Sequence, residues 1–231
     1  MRIMFKACIF DLDGTIMNTL ESIAYVSNLV LRELSLPPFP VDDYRYFSGD
    51  GGRTLMTRCL KRAGTPSELL NQAVARYNEL FSQNSLYRVE VCKGVPELLS
   101  ALKKEGLSLA VLSNKPHEAA LRAVQGVYGE NYFKMVRGLQ SDADRKPSPK
   151  GALAIARELK VHPEECLYVG DTGTDMDTGN AAGMFSIGVL WGFRDRQELV
   201  EHNAKLIVSN PGEILTFCKE KNALEKKDSV K

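Results

Sequence analysis

The sequence predicts an α/β protein: a mainly parallel sheet covered by helices on both faces, interrupted once by a separate helical unit. Two observations predict it. Short apolar runs recur at residues 6–10, 107–112, 135–139, 166–169, 185–190 and 206–208, mostly separated by segments of helical period, and that alternation is the pattern of a parallel sheet. The stretch 16–86 breaks the rhythm, because it carries several helical patterns and no convincing strand.

In chain order, residues 6–10 are apolar after Lys6, as expected of a strand buried on both faces. Within 16–86, Leu20, Ile23, Ala24, Leu31 and Leu34 fall near one helical face, and Leu70, Ala73, Val74, Tyr77, Leu80 and Phe81 form a second stripe. A further helix is expected over 54–62, behind a glycine-rich turn at 49–53. A connection of this length is not a structureless loop, so 16–86 is expected to be a helical cap, with 1–15 and 87–231 forming the core. Gly94 precedes a helix at 95–105 that Gly106 stops, Ser148 and Pro149 open one running to Lys160, and Asn210 with Pro211 opens the last. The charged end, 219–231, lacks apolar partners and is expected to be a frayed helix or solvated tail.

The 231 residues carry 30 basic and 29 acidic side chains, a formal charge of +1, which gives no reason to expect nucleic acid or an anionic membrane as partner. The cysteines, Cys8, Cys59, Cys92, Cys166 and Cys218, are odd in number and contain no C-x-x-C, so neither a disulfide framework nor a zinc ribbon is expected. No segment is long enough to span a bilayer and the start lacks a signal-peptide pattern. A cytoplasmic monomer or homodimer is therefore expected.

Chemistry-bearing residues gather where predicted strands end. Asp11 and Asp13 follow the first run directly, and strand periodicity turns both to one side while Leu12 faces the other. In parallel α/β sheets ligands bind outside these carboxyl ends. Two such anions need a cation or a proton between them. Ser113 and Asn114 follow 107–112, Lys146 lies in RKPSP, and Gly170, Asp171 and Asp175 lie in VGDTGTD after 166–169. A dianionic ligand would repel an attacking carboxylate by roughly 8 kcal/mol at about 4 Å and an effective dielectric near 20. A divalent cation on Asp11 and Asp171 would offset that repulsion, with Lys146 adding fixed positive charge. Hard oxygen ligands favour Mg²⁺.

Together the four motifs resemble the haloacid dehalogenase superfamily, whose first motif reads D-x-D-G-T and whose later motifs supply a Ser or Thr, a Lys, and G-D-[ST] with a further Asp. The resemblance implies a Rossmann-like three-layer core and, from the position of the insert, a type 1 α-helical cap. It implies an Mg²⁺-dependent phosphatase of a small phosphorylated metabolite. In that scheme Asp11 attacks phosphorus to form an aspartyl phosphate, and Asp13 protonates the leaving alkoxide and then activates water. Ser113 and Asn114 assist at the phosphoryl oxygens alongside Lys146. The metal would be held by Asp11, Asp171 and the backbone carbonyl of Asp13, while Asp175 orients a water on it. The turn at 49–53 resembles the specificity loop of phosphoglycolate phosphatases, so Gly51, Gly52 and Arg53 are expected to recognise the non-reacting end of the substrate, a carboxylate if it is 2-phosphoglycolate. β-Phosphoglucomutases also resemble the chain, but they usually carry Val at the position of Thr15 and a His in the first cap helix, where this chain has residues 20–24. Pyrophosphate and nucleotides are further candidate substrates. A phospho-receiver module is disfavoured by Asp13 and by the insert.

Overall fold

The computed structural model describes residues 4–65 and 67–228. Its centre is a six-stranded sheet of β1 (Ala7–Phe10), β4 (Ser108–Pro116), β5 (Met135–Leu139), β6 (Cys166–Gly170), β7 (Phe185–Val189) and β8 (Leu206–Val208), in the order β5–β4–β1–β6–β7–β8. Every neighbouring pair is parallel. The central strand β1 lies between β4 and β6, where the strand order reverses, and such a switch point opens a crevice at the carboxyl ends.

Alternation along β1 feeds two layers. Cys8 and Phe10 join a core with Leu98, Leu99 and Leu102 of α5 (Val95–Lys104) and Ile214 of α10 (Pro211–Asp228), whereas Ala7 and Ile9 pack with Ala152 and Ile155 of α7 (Lys150–Glu158). The sheet is thus covered on both faces, as the apolar runs predict. Two more helices, α6 (His117–Tyr128) and α8 (Gly173–Ala181), begin immediately beyond β4 and just beyond β6, and α9 (Arg196–Glu201) follows β7. The last helix continues to Asp228, so the expected frayed end is helical that far, and 229–231 lie outside the described residues.

Between β1 and α5 stand α1 (Leu20–Glu33), α2 (Tyr44–Phe47), α3 (Gly52–Arg62) and α4 (Leu70–Asn84). They close on a core of their own, in which both predicted stripes meet: Leu20, Ile23, Ala24 and Leu31 pack with Ala73, Tyr77, Leu80 and Phe81. One feature was not expected. The chain leaves and rejoins the core through a two-stranded antiparallel ribbon, β2 (Met17–Asn18) against β3 (Glu90–Val91), with Met17 opposite Val91 and Asn18 opposite Glu90. Two-residue strands are too short for alternation to show. Among the described residues no helix is long and apolar enough to cross a membrane, and all five cysteines are buried free thiols.

Candidate active site

β1 ends in the tight turn that carries Asp11 and Asp13. Gly14 holds a φ of +90°, and a Cβ there would overlap the Asp171 carboxylate, so glycine is needed both for the left-handed turn and for the close approach. The neighbouring Thr15 hydroxyl donates to Asp171 Oδ1 at 3.0 Å, and the Phe193 amide donates to Asp171 Oδ2 at 2.7 Å. The DLDGT turn therefore abuts the β6 carboxylate directly, over 156 positions of sequence.

Lys146 reaches the same place from the loop after β5. Its Nζ donates to Asp11 Oδ1 at 2.6 Å and to Asp175 Oδ1 at 2.7 Å, with all three side chains buried. Asn114 fixes the lysine backbone: its Oδ1 accepts from the Lys146 amide at 2.8 Å and its Nδ2 donates to the Lys146 carbonyl at 3.3 Å. Asp175 Oδ2 accepts from the Thr172 amide and hydroxyl at 3.1 and 2.7 Å, in the capping box of α8. Both Asp175 oxygens are thereby engaged.

The electrostatics of this cluster are unbalanced. Asp11, Asp171 and Asp175 present carboxylate oxygens within 4.8 Å of one another, and among the described residues Lys146 is the one ammonium bonded to them. Fully ionised, three carboxylates and one ammonium would leave two negative charges in a buried site. Burial, with Asp175 adding to it, pushes the Asp171 carboxyl up to about 7, and burial with Asp175 also raises Asp11 against the pull of Lys146. Burial works against the Lys146 ammonium, but Asp11 and Asp175 outweigh it and hold the amine protonated. An all-oxygen donor set with two uncompensated charges fits a hard divalent cation.

Asp13 is separately partnered. Lys115 Nζ donates to both of its oxygens, at 2.7 and 2.8 Å, and the Thr19 hydroxyl donates to Oδ1 at 2.6 Å. Lys115 was not singled out in the sequence, because the strand was expected to stop at Leu112. In the structure β4 runs on to Pro116 through a shift of register against β5 between Leu112 and Pro116, and this irregular end carries Ser113, Asn114 and Lys115. The Ser113 hydroxyl accepts from the Lys115 amide at 3.1 Å.

A cavity of about 250 Å³ lies above these groups. Asp11, Asp13, Ser113, Asn114 and Lys115 form its floor, and Ile23, Leu55, Tyr77 and Phe81 of the helical insert form its roof. Gly51 and Gly52 line it where α3 begins, Gly51 with a φ of +86°. Arg53 does not: its guanidinium is exposed and donates to Asn71 Oδ1 at 3.1 and 3.0 Å. The structure thus brings together Asp11, Asp13, Ser113, Asn114, Lys146, Asp171, Asp175, Gly51 and Gly52 and leaves the Arg53 side chain outside, where Asn71 in the first turn of α4 accepts from it.

The loop before α3 is bolted to the core. Asp50 accepts from the Thr174 hydroxyl of α8 at 2.7 Å and from Arg58 at 2.6 Å, and its carbonyl accepts from Arg145 at 3.0 Å. Burial opposes the charge on Asp50, but Thr174 and Arg58 hold its carboxyl below the usual range. Arg194 donates to the carbonyls of Arg45 and Ser48, and Asn114 Nδ2 also reaches the Gly49 carbonyl at 3.2 Å.

Residues 8–189 match the family model of the haloacid dehalogenase-like hydrolases. A Rhodobacter capsulatus protein named phosphoglycolate phosphatase is 34% identical over 209 residues, which cover 87% of this chain and 92% of that one. A Lactobacillus delbrueckii crystal structure, provisionally described as a phosphoglycolate phosphatase, superimposes with a TM-score of 0.88 at 27% identity, over 94% of this chain and 99% of the other. A Thermotoga maritima structure provisionally described as a β-phosphoglucomutase gives 0.68 at 25% identity, over 94% and 99%. With the family model spanning most of the sheet and its insert, the chain belongs to the haloacid dehalogenase-like hydrolase family.

Proposed function

We propose that this protein hydrolyses small phosphomonoesters, 2-phosphoglycolate first among them, with Mg²⁺ as cofactor and Asp11 as nucleophile. The observation that carries the reading is the position of Asp11: its carboxylate faces the cavity and is also one of the three buried carboxylates whose charge Lys146 only partly balances. Asp11 and Asp171, with the Asp13 carbonyl, would hold the cation, which supplies the positive charge that lets one anion approach another. Asp175, whose Oδ1 accepts from Lys146, orients that ammonium and would orient a water on the cation.

The first step joins an Asp11 oxygen to phosphorus and breaks the ester P–O bond, whose electron pair stays on the leaving oxygen and takes a proton from Asp13. In the second, water attacks the aspartyl phosphate, its proton passes to Asp13, and the Asp11–phosphorus bond breaks to release phosphate. Lys146 neutralises charge on the phosphoryl oxygens, and the Ser113 hydroxyl and the Asn114 region supply hydrogen bonds to them. The relatives named phosphoglycolate phosphatase support the substrate choice. Ile23 is the residue of α1 that lines the cavity, so that helix presents no acid or base there of the kind a mutase would use.

Phosphate release from a panel of phosphomonoesters, with Mg²⁺ and with chelator, tests the reading. Mg²⁺-dependent turnover with 2-phosphoglycolate among the best substrates is expected. Isomerisation of a hexose phosphate without net phosphate release would replace the hydrolase with a mutase.

A further inference from the structure

The cations near the cavity are not equivalent. Lys115 and Arg122 are the two that line it; Arg122 is exposed on α6, whereas Lys115 is 7% exposed. The Lys115 ammonium has the Asp13 carboxylate on one side and the Phe81 ring of α4 on the other, 4.7 Å from the ring centroid. Lys146, the other buried lysine of the site, is committed to Asp11 and Asp175. Arg53, the sequence's candidate for reading the far end of the substrate, faces away.

We propose that Lys115 recognises an anionic group on the leaving alcohol of the substrate, and that this group replaces Asp13 as the partner of the ammonium. The proposal rests on the phosphomonoesterase reading and names the substrate class within it. A buried ammonium keeps an anion beside it, and here that anion is Asp13. A cavity of about 250 Å³ puts the leaving alcohol in the same small space as the pair. A substrate carboxylate can take the place of Asp13 against the ammonium, whereas a neutral alcohol offers it no charge and leaves Lys115 on Asp13. The charge on the alcohol is therefore what Lys115 distinguishes.

The test compares 2-phosphoglycolate with 2-hydroxyethyl phosphate, both alkyl esters of phosphate, one with a carboxylate and one with an alcohol at the far end. Wild type should favour phosphoglycolate by at least about tenfold in kcat/KM. Lys115→Met should lower both rates but collapse the ratio towards one, and Lys115→Arg should keep part of it. An unchanged ratio in Lys115→Met, or no preference in wild type, overturns the proposal. Hydrolysis of other esters but neither of these overturns it while leaving the phosphatase reading in place; hydrolysis of no ester removes both. Should Lys115→Met fail to fold, wild type alone decides: glycolate should inhibit competitively at concentrations where ethylene glycol does not, and equal inhibition overturns the proposal.

Discussion

The floor and the roof of the cavity are held by different forces. Beneath the floor, Asp171 and Asp175 crowd with Asp11 within 4.8 Å, and Lys146, Thr15, Thr172 and the Phe193 amide each contribute a bond to this cluster. The roof is an apolar wall of Ile23, Leu55, Tyr77 and Phe81, and its nearby polar bonds run mainly from loop carbonyls and Asp50 down to the core. A charged cluster responds sharply to the loss of one member, since each buried group depends on its partners. An apolar wall degrades gradually with shape and volume. Chemistry therefore belongs to the floor, and the shape of the space above it to the roof.

The largest expected effect is on the floor. Asp11→Asn keeps the shape and removes the nucleophile, so turnover should fall by about 10⁴-fold or more while the fold remains. Measurable residual turnover near wild type would break the division at its root.

A second effect distinguishes floor from roof by pH. The folded Asp171 carboxyl sits near 7, above the roughly 3.9 of an exposed aspartate. Without a cation, its contribution to stability is present below about pH 4 and is lost as pH rises through 7. A bound divalent cation removes the cost of ionisation, so added Mg²⁺ should raise the melting temperature more at pH 8 than at pH 5. Equal gains at both would mean that these carboxylates are not the cation site.

Smaller effects belong to the roof and its fastenings. Asp50→Ala removes the bonds to Thr174 and Arg58, and kcat/KM should fall about tenfold, the kinetic equivalent of about 1.4 kcal/mol. No loss would show that this bolt is unimportant for the closed cavity. The smallest effect is expected for Arg53→Ala, which breaks an exposed contact with Asn71: stability within about 0.5 kcal/mol and kinetics within about twofold. A marked loss of selectivity would return Arg53 to the site.

The sheet and the floor are legible in the sequence because each signal is local. A run such as ACIF followed by DLDGT states a buried strand and the polar turn at its end, and the other motifs sit at the ends of β4 and β6 or, as with Lys146, in the loop after β5. The order of motifs then implies convergence. The packing of the helical insert is legible for the same reason, through the period of its two stripes. What escapes depends on long-range pairing. The continuation of β4 that delivers Lys115 is set by its register against β5, and the hold of Arg194, Arg145 and Thr174 on residues 45–50 joins parts of the chain far apart. Arg53 shows the converse: a glycine-rich turn marks a helix start, but not the direction in which the first side chains of that helix point.

The β2–β3 ribbon has a consequence for how such molecules diversify. Because the chain departs at Met17 and returns at Val91 directly opposite it, both covalent ends of the insert meet at one doorway beside the sheet, and a change in the length of the segment between them need not move a strand.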